Sequence, residues 1–288
     1  MGELMQLAVG TVSMRPYVFA FFAAYLIASV PHLGWKRVAV FTFLGYLTAF
    51  ASEFLSINTG FPYGWYYYID RTSSQELWIA GVPFFDSLSY VFLCYCSYAT
   101  ALFILSPLKT TRKNLILLET LSIRRSLSAL ILGSLLQTYL DIIIDPVALQ
   151  GRDWFLGEIY GYKEAGHHFG VPLTNYCGWF VVSGLMIFIL QRLAGRRMIG
   201  TTPPVGVCSF PGSSLLPVLL YLSVIIFNLV IAVHINRMTI AVSGFLATLL
   251  PLAMATILAI RRISRYNREE LAEHLRDFPW SAAGATKR

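Results

Sequence analysis

Apolar residues run in long blocks along this chain, and polar residues gather in short clusters between them. A helix that crosses the hydrocarbon core of a bilayer needs about 20 apolar residues. Seven blocks come near that length: Tyr17 to Leu33, Val38 to Ile57, Val82 to Leu105, Ser126 to Ile144, Pro172 to Leu190, Leu215 to His234 and Thr239 to Ile260. Prolines punctuate the pattern. Pro83 and Pro172 stand where a first helical turn begins, Pro146 follows the expected end of the fourth block, and Pro251 is expected to kink the seventh. The pattern predicts an all-α, polytopic membrane helix bundle of about seven transmembrane helices, with residues 1–260 as one transmembrane domain and residues 261–288 as a basic cytoplasmic tail.

Composition agrees with the pattern: of 288 residues, 56% are hydrophobic and only 13% charged, too few charges for a soluble domain of this size. The net charge of +7 does not point to nucleic acid, because the basic residues fall between apolar blocks, where they set topology. Counted with the N-terminus outside, Lys36, Arg37, Lys109, Arg112, Lys113, Arg124, Arg125, Arg192, Arg196, Arg197 and the basic residues after Ile260 lie inside. Only Arg15, Arg71, Arg152, Lys163 and Arg237 lie outside. The expected topology is therefore N-out, C-in, in the cell (inner or cytoplasmic) membrane. Glu3 and the lack of a basic residue before Arg15 leave no charged start for a cleavable signal peptide, so the first block is expected to be retained. Cys94, Cys96, Cys177 and Cys208 have neither metal-site nor disulfide spacing and read as small apolar residues. The stretch Pro203 to Ser214 reads as a flexible inner connector. In the tail, Leu271 and Leu275 are spaced for a short amphipathic helix, solvated or touching lipid.

That topology has a chemical consequence. Glu53, Asp86, Asp141, Asp145, His167, His168, Asn175 and His234 all fall at the outer ends of blocks or in outer loops, and ionisable groups at such places in a membrane protein point to function. Asp141 and Asp145, four residues apart, share a helix face at about 6 Å. Two carboxylates that close resist double ionisation, and the helix C-terminus disfavours their charge, so one is expected to hold a proton. The same reasoning applies to Glu53. Asp86 enters a helix at its positive end and is expected to stay ionised. The plainer alternative is that Asp145 caps a helix before Pro146 while Asp141 pairs with Arg152 or a histidine. Catalytic candidates are thus Asp141, Asp145, Asp86, Glu53 and His168, the last through an orienting hydrogen bond to Asp145 or Glu164. Five histidines without array spacing predict no metal. Aromatics interleave with glycine in Asn58 to Asp70 and Trp154 to Tyr162, where stacked rings can line a slot for a flat apolar chain and stabilise a passing cation. The substrate-binding candidates are Trp65, Tyr66, Tyr67, Trp154, Tyr160, His167, Asn175 and Trp179.

An internal repeat is also visible. Gly81-Val82-Pro83 and Gly170-Val171-Pro172 each open a block and each place a polar residue three positions later, Asp86 and Asn175. This spacing predicts two helix hairpins of one orientation, a parallel duplication.

The segments TGFPYGWYYY, GVPFFDSLSYVFLCYCSY, DPVALQGRDWF and HHFGVPLTNYCGWFVVS resemble the membrane-bound carotenoid biosynthesis family that includes carotenoid hydratases of the CruF type, acting on γ-carotene or bisanhydrobacterioruberin. The likeness spans about residues 53–183. It implies a redox-neutral carotenoid 1,2-hydratase, a hydro-lyase that adds water to the terminal C=C of an acyclic carotenoid end without a cofactor. The implied substrate is a lycopene, γ-carotene or C50 carotenoid, and a carotenoid glycosyltransferase is an implied candidate partner. Alternatives that would use the same residues are an acid-initiated polyprenoid cyclase or isomerase, or a carotenoid-binding or transport protein without chemistry.

Overall fold

The computed structural model describes residues 2–111, 114–195, 202–263 and 265–284. Arg112, Lys113, Arg196, Arg197, Lys287 and Arg288, assigned above to the inner side, lie outside the described residues. Seven helices are long and apolar enough to cross a membrane: α2 (Pro16–Leu33), α3 (Trp35–Thr59), α4 (Phe84–Leu105), α6 (Leu127–Ala148), α7 (Leu173–Ala194), α8 (Leu216–His234) and α9 (Met238–Arg262). The protein is a multi-pass membrane protein. Three shorter helices accompany these: α1 (Glu3–Met14), α5 (Leu121–Arg124) and α10 (Arg268–Asp277). Short strands pair in the loops: β1 (Tyr66–Tyr68) with β6 (Tyr160–Tyr162), β2 (Trp78–Ile79) with β3 (Val82–Pro83), and β4 (Leu108–Thr110) with β5 (Leu115–Leu117).

Four of the helices close a ring, in which α3 packs on α4, α4 on α6, α6 on α7, and α7 back on α3. Helix α4 is buried along most of its length, while α2 and α8 pack together against its other side and α9 lies outside against α8. The Gly-Val-Pro segments take the same conformation in both places. Ala80-Gly81 and Phe169-Gly170 carry paired positive φ values, the two-residue turn that matches strand twist. In each case the following proline is the N-cap residue of the next helix, so Asp86 and Asn175 enter their helices in the first turn.

Three features depart from the expectations. Helix α6 does not stop before Pro146 but runs through it to Ala148, with Leu149 N–H bonded to the Asp145 carbonyl at 2.9 Å. A proline costs a helix one backbone bond, and neighbours on both sides hold this one, so Asp145 lies inside the helix and is no cap. Helix α1 went unexpected because twelve residues cannot span a bilayer; it lies on the outer loop, where Thr11 Oγ1 accepts the Leu77 N–H at 2.7 Å. A Cβ on Gly10 would stand 1.8 Å from the Gln75 carbonyl oxygen, so only glycine permits that approach. Arg15, placed above on the outer side, is fully buried there and grips Glu76 with two bonds of 2.9 and 2.8 Å while donating to the Leu156 carbonyl.

Candidate functional site

The closed ring brings its polar residues to one end. Glu53 comes from α3, Asp86 from α4, Asp141 and Asp145 from α6, and Asn175 from α7; Glu53, Asp141, Asp145 and Asn175 are each at most 5% exposed. One residue ties two of the acids together: the Asn175 side-chain amide donates to Asp141 Oδ2 at 2.7 Å and to Asp145 Oδ2 at 3.0 Å. On the opposite side of the ring, Ser87 Oγ donates to Glu53 Oε2.

A two-stranded sheet roofs these acids. Strand side chains alternate between faces, so Tyr66 and Tyr68 of β1 point inward with Tyr160 and Tyr162 of β6, in the register Tyr66↔Tyr162 and Tyr68↔Tyr160. Tyr68 donates to Asp86 Oδ2 at 2.6 Å, and Tyr162 to Asp145 Oδ2 at 2.5 Å, while Tyr160 donates to Asp145 Oδ1. Burial, reinforced by the adjacent carboxylates, pushes the phenols of Tyr68, Tyr160 and Tyr162 well above their ordinary range, so they remain hydrogen-bond donors.

Between the roof and the ring lies a cavity of about 130 Å³, lined by Glu53, Asp86, Asp141, Asp145, Tyr66, Tyr160, Trp154, Asn175 and Trp179 among the residues expected from sequence. Tyr63, Tyr68 and Tyr162 join them, as do Tyr17 and Phe21 of α2 and Phe227 and Asn228 of α8. Among the described residues, the lining has no Lys, Arg or His. Among these acids, Asp86, Asp141 and Asp145 accept from neutral donors, the phenols of Tyr68, Tyr160 and Tyr162 and the Asn175 amide. Arg152, the alternative partner for Asp141, instead pairs with Glu158.

Four expected site residues are placed elsewhere. Tyr67 sits on the outer face of β1 against Gly161, and Trp65, which precedes the strand and shares the parity of Tyr67, receives the Lys163 ammonium at 4.0 Å from its ring centre. Period-two alternation excludes both from the inward face. His168 does not reach Asp145 or Glu164; its Nδ1 lies 2.5 Å from the Tyr176 hydroxyl, and burial lowers its pKa. His167 is exposed at the surface. Tyr68 and Tyr162, not among the binding residues expected from sequence, carry a signal in YYY and YGY: they are the inward partners of Tyr66 and Tyr160 once the two strands pair.

The other end of the bundle is built differently. Glu119 is bound by Arg124 through two bonds of 3.0 and 2.7 Å and lies 3.1 Å from His32 Nε2. Burial alone would raise the Glu119 carboxyl, but Arg124 and His32 outweigh it and hold the group well below the usual carboxylate range. The chain's tail docks here and is not simply solvated. His274 of α10 is buried with Nδ1 2.6 Å from the Glu119 carbonyl, Asp277 accepts the Leu121 N–H at 2.8 Å, and Phe278 stacks under the Arg124 guanidinium.

Among curated proteins and among solved structures, nothing matches the chain. The family described as carotenoid biosynthesis protein matches residues 11–251, nearly the whole of the sequence, and the chain belongs to that family.

Proposed function

We propose that this carotenoid biosynthesis protein is a carotenoid 1,2-hydratase working by acid catalysis in the outer cavity. The observation that carries the reading is the Asp141–Asn175–Asp145 bridge inside a cavity whose described lining holds acids, phenols and aromatic rings but no cationic side chain. Asp145 accepts from three donors and is suited to remain a carboxylate; Asp141 accepts from one and is suited to carry the proton.

In this reading, the Asp141 carboxyl delivers H⁺ to the less substituted carbon of the terminal alkene, leaving a tertiary cation on its neighbour. Asp86, held by Tyr68, offsets that charge, and the rings of Tyr66, Trp154 and Trp179 present π-faces to it. Water adds to the cation and gives up a proton to Asp86, and proton exchange with water in the cavity restores the protonated Asp141 and the ionised Asp86. The sum is one water added across one C=C, with no change of oxidation state. Glu53, with Ser87 as its donor, lines the same cavity as a further acid in that exchange.

Expression in cells that make lycopene or γ-carotene tests the reading. A product heavier by one water supports it; an isomer of unchanged mass points to cyclisation or isomerisation, and an unaltered carotenoid bound to the folded protein points to binding alone.

A further inference from the structure

The cavity is small for the substrate assigned to it. Pockets that enclose a drug-sized ligand run to about 300–1,000 Å³, so a cavity of about 130 Å³ takes in the end of a long polyene and not its length. The rest of a long polyene must pass through a wall. Three walls are firmly tied. The tyrosine roof is pinned to the acids, the α3–α4–α6–α7 ring is closed, and the Arg15–Glu76 pair with its bond to Leu156 locks the outer loops.

The remaining flank lies between α2 and α8. Tyr17, Phe21, Trp154 and Phe227 line the cavity there and are each half-buried. They close it by ring contacts: Tyr17 stacks on Phe227 at 5.4 Å, Phe21 meets Phe227 edge-on at 5.6 Å, and Trp154 tilts over Tyr17 at 6.1 Å. Phe155, exposed at the lip, packs on Tyr17 at 5.5 Å and on Trp154 at 4.9 Å. Rings held in this way part without breaking an ion pair, and their faces suit a flat conjugated chain.

Resting on the reading that the substrate is a long polyene, we propose that the aromatic seam between α2 and α8 is a lateral portal. The reactive end enters the acid cavity through it, and the hydrocarbon arm stays in the bilayer. Phe227 and Phe21 set the width of the slot, and so determine which chains are admitted.

A photoreactive benzoyl-phenylalanine at Phe155, in protein reconstituted in phosphatidylcholine vesicles containing lycopene, tests the portal. The control carries the same group at Phe43, an equally exposed residue of α3 away from the seam. The expected result is a lycopene adduct at position 155 in yield roughly tenfold above that at 43; equal yields at both positions, or capture at 43 only, overturn the portal. The readout does not need turnover, so capture at 155 without any hydrated product sinks the hydratase reading and leaves the portal standing. As a second arm, Phe227→Trp is expected to raise KM for lycopene with kcat nearly unchanged, whereas a fall in kcat at constant KM counts against a role in access.

Discussion

Two buried carboxylate clusters stand at opposite ends of the same bundle, and they are neutralised in different ways. At the inner end, Glu119 is matched by the Arg124 guanidinium and by His32, and the pair is covered by Phe278 and α10. At the outer end, Asp86, Asp141 and Asp145 are met by phenols and an amide, with no cation in the described lining of their cavity. A carboxylate locked to a guanidinium is a structural tie, since its proton is gone at any working pH. Carboxylates held only by neutral donors can exchange protons among themselves and with a bound molecule. On the proposed function, the comparison separates acids that hold the fold together from acids that do chemistry.

The largest effect expected is on the outer cluster. Asp141→Asn removes the proposed proton donor and should lower hydration about 10²–10⁴-fold, the usual contribution of general acid catalysis, while the melting temperature in detergent stays the same or rises. At the inner end the pattern reverses: Arg124→Ala strands Glu119 and should cost about 3–5 kcal/mol of stability, read as an earlier thermal transition, with turnover per folded molecule retained. If Arg124→Ala instead spared stability and abolished turnover, the division between the two ends would collapse. Tyr162→Phe deletes one donor to Asp145, and a loss of about tenfold in rate is expected from one charge-assisted hydrogen bond.

Acidification sharpens the same contrast. Glu119 sits low in the fold, so its contribution is complete above the ordinary carboxylate range and is lost as pH falls below it. Burial lowers the His274 pKa from its free value of 6.5, so the folded state favours the neutral ring and loses stability as pH drops below that value. Corrected for the slowing of intrinsic amide exchange in acid, hydrogen-exchange protection along α10 should therefore fall from about pH 6.5 downward, and protection that stays constant between neutral and acid pH would contradict the linkage. The smallest effect belongs to His168→Gln, which should change the rate by less than about twofold because its ring touches Tyr176 and not the acids.

Much of the architecture was legible from hydropathy alone, because a bilayer demands long apolar blocks and few other patterns imitate them. The convergence of Glu53, Asp86, Asp141, Asp145 and Asn175 followed from topology: all five lie near the same ends of their helices. The roof was not legible in the same way. Strands of three residues carry no periodicity of their own, so the inward face of YYY and YGY is defined only once β1 meets β6; without that pairing Trp65 and Tyr67 look as suitable as Tyr66. His168 was misplaced for a related reason, since the turn at Phe169-Gly170 folds its segment back against Val171 and its ring toward Tyr176. At the inner end, His32, Glu119, Arg124 and His274 are spread along the sequence and no local motif links them. The capping box at Asn267 and Glu270 announces α10 but not where it docks.

The source of the new atoms in the product tests the account most directly. Purified protein in vesicles, given lycopene in deuterated water enriched in heavy oxygen, should yield an alcohol whose oxygen comes from solvent and whose adjacent carbon carries one non-exchangeable deuterium, and Asp141→Asn should yield neither label. An alcohol whose oxygen comes from O₂, or full labelling by the folded Asp141→Asn variant, would contradict acid-catalysed hydration at this site.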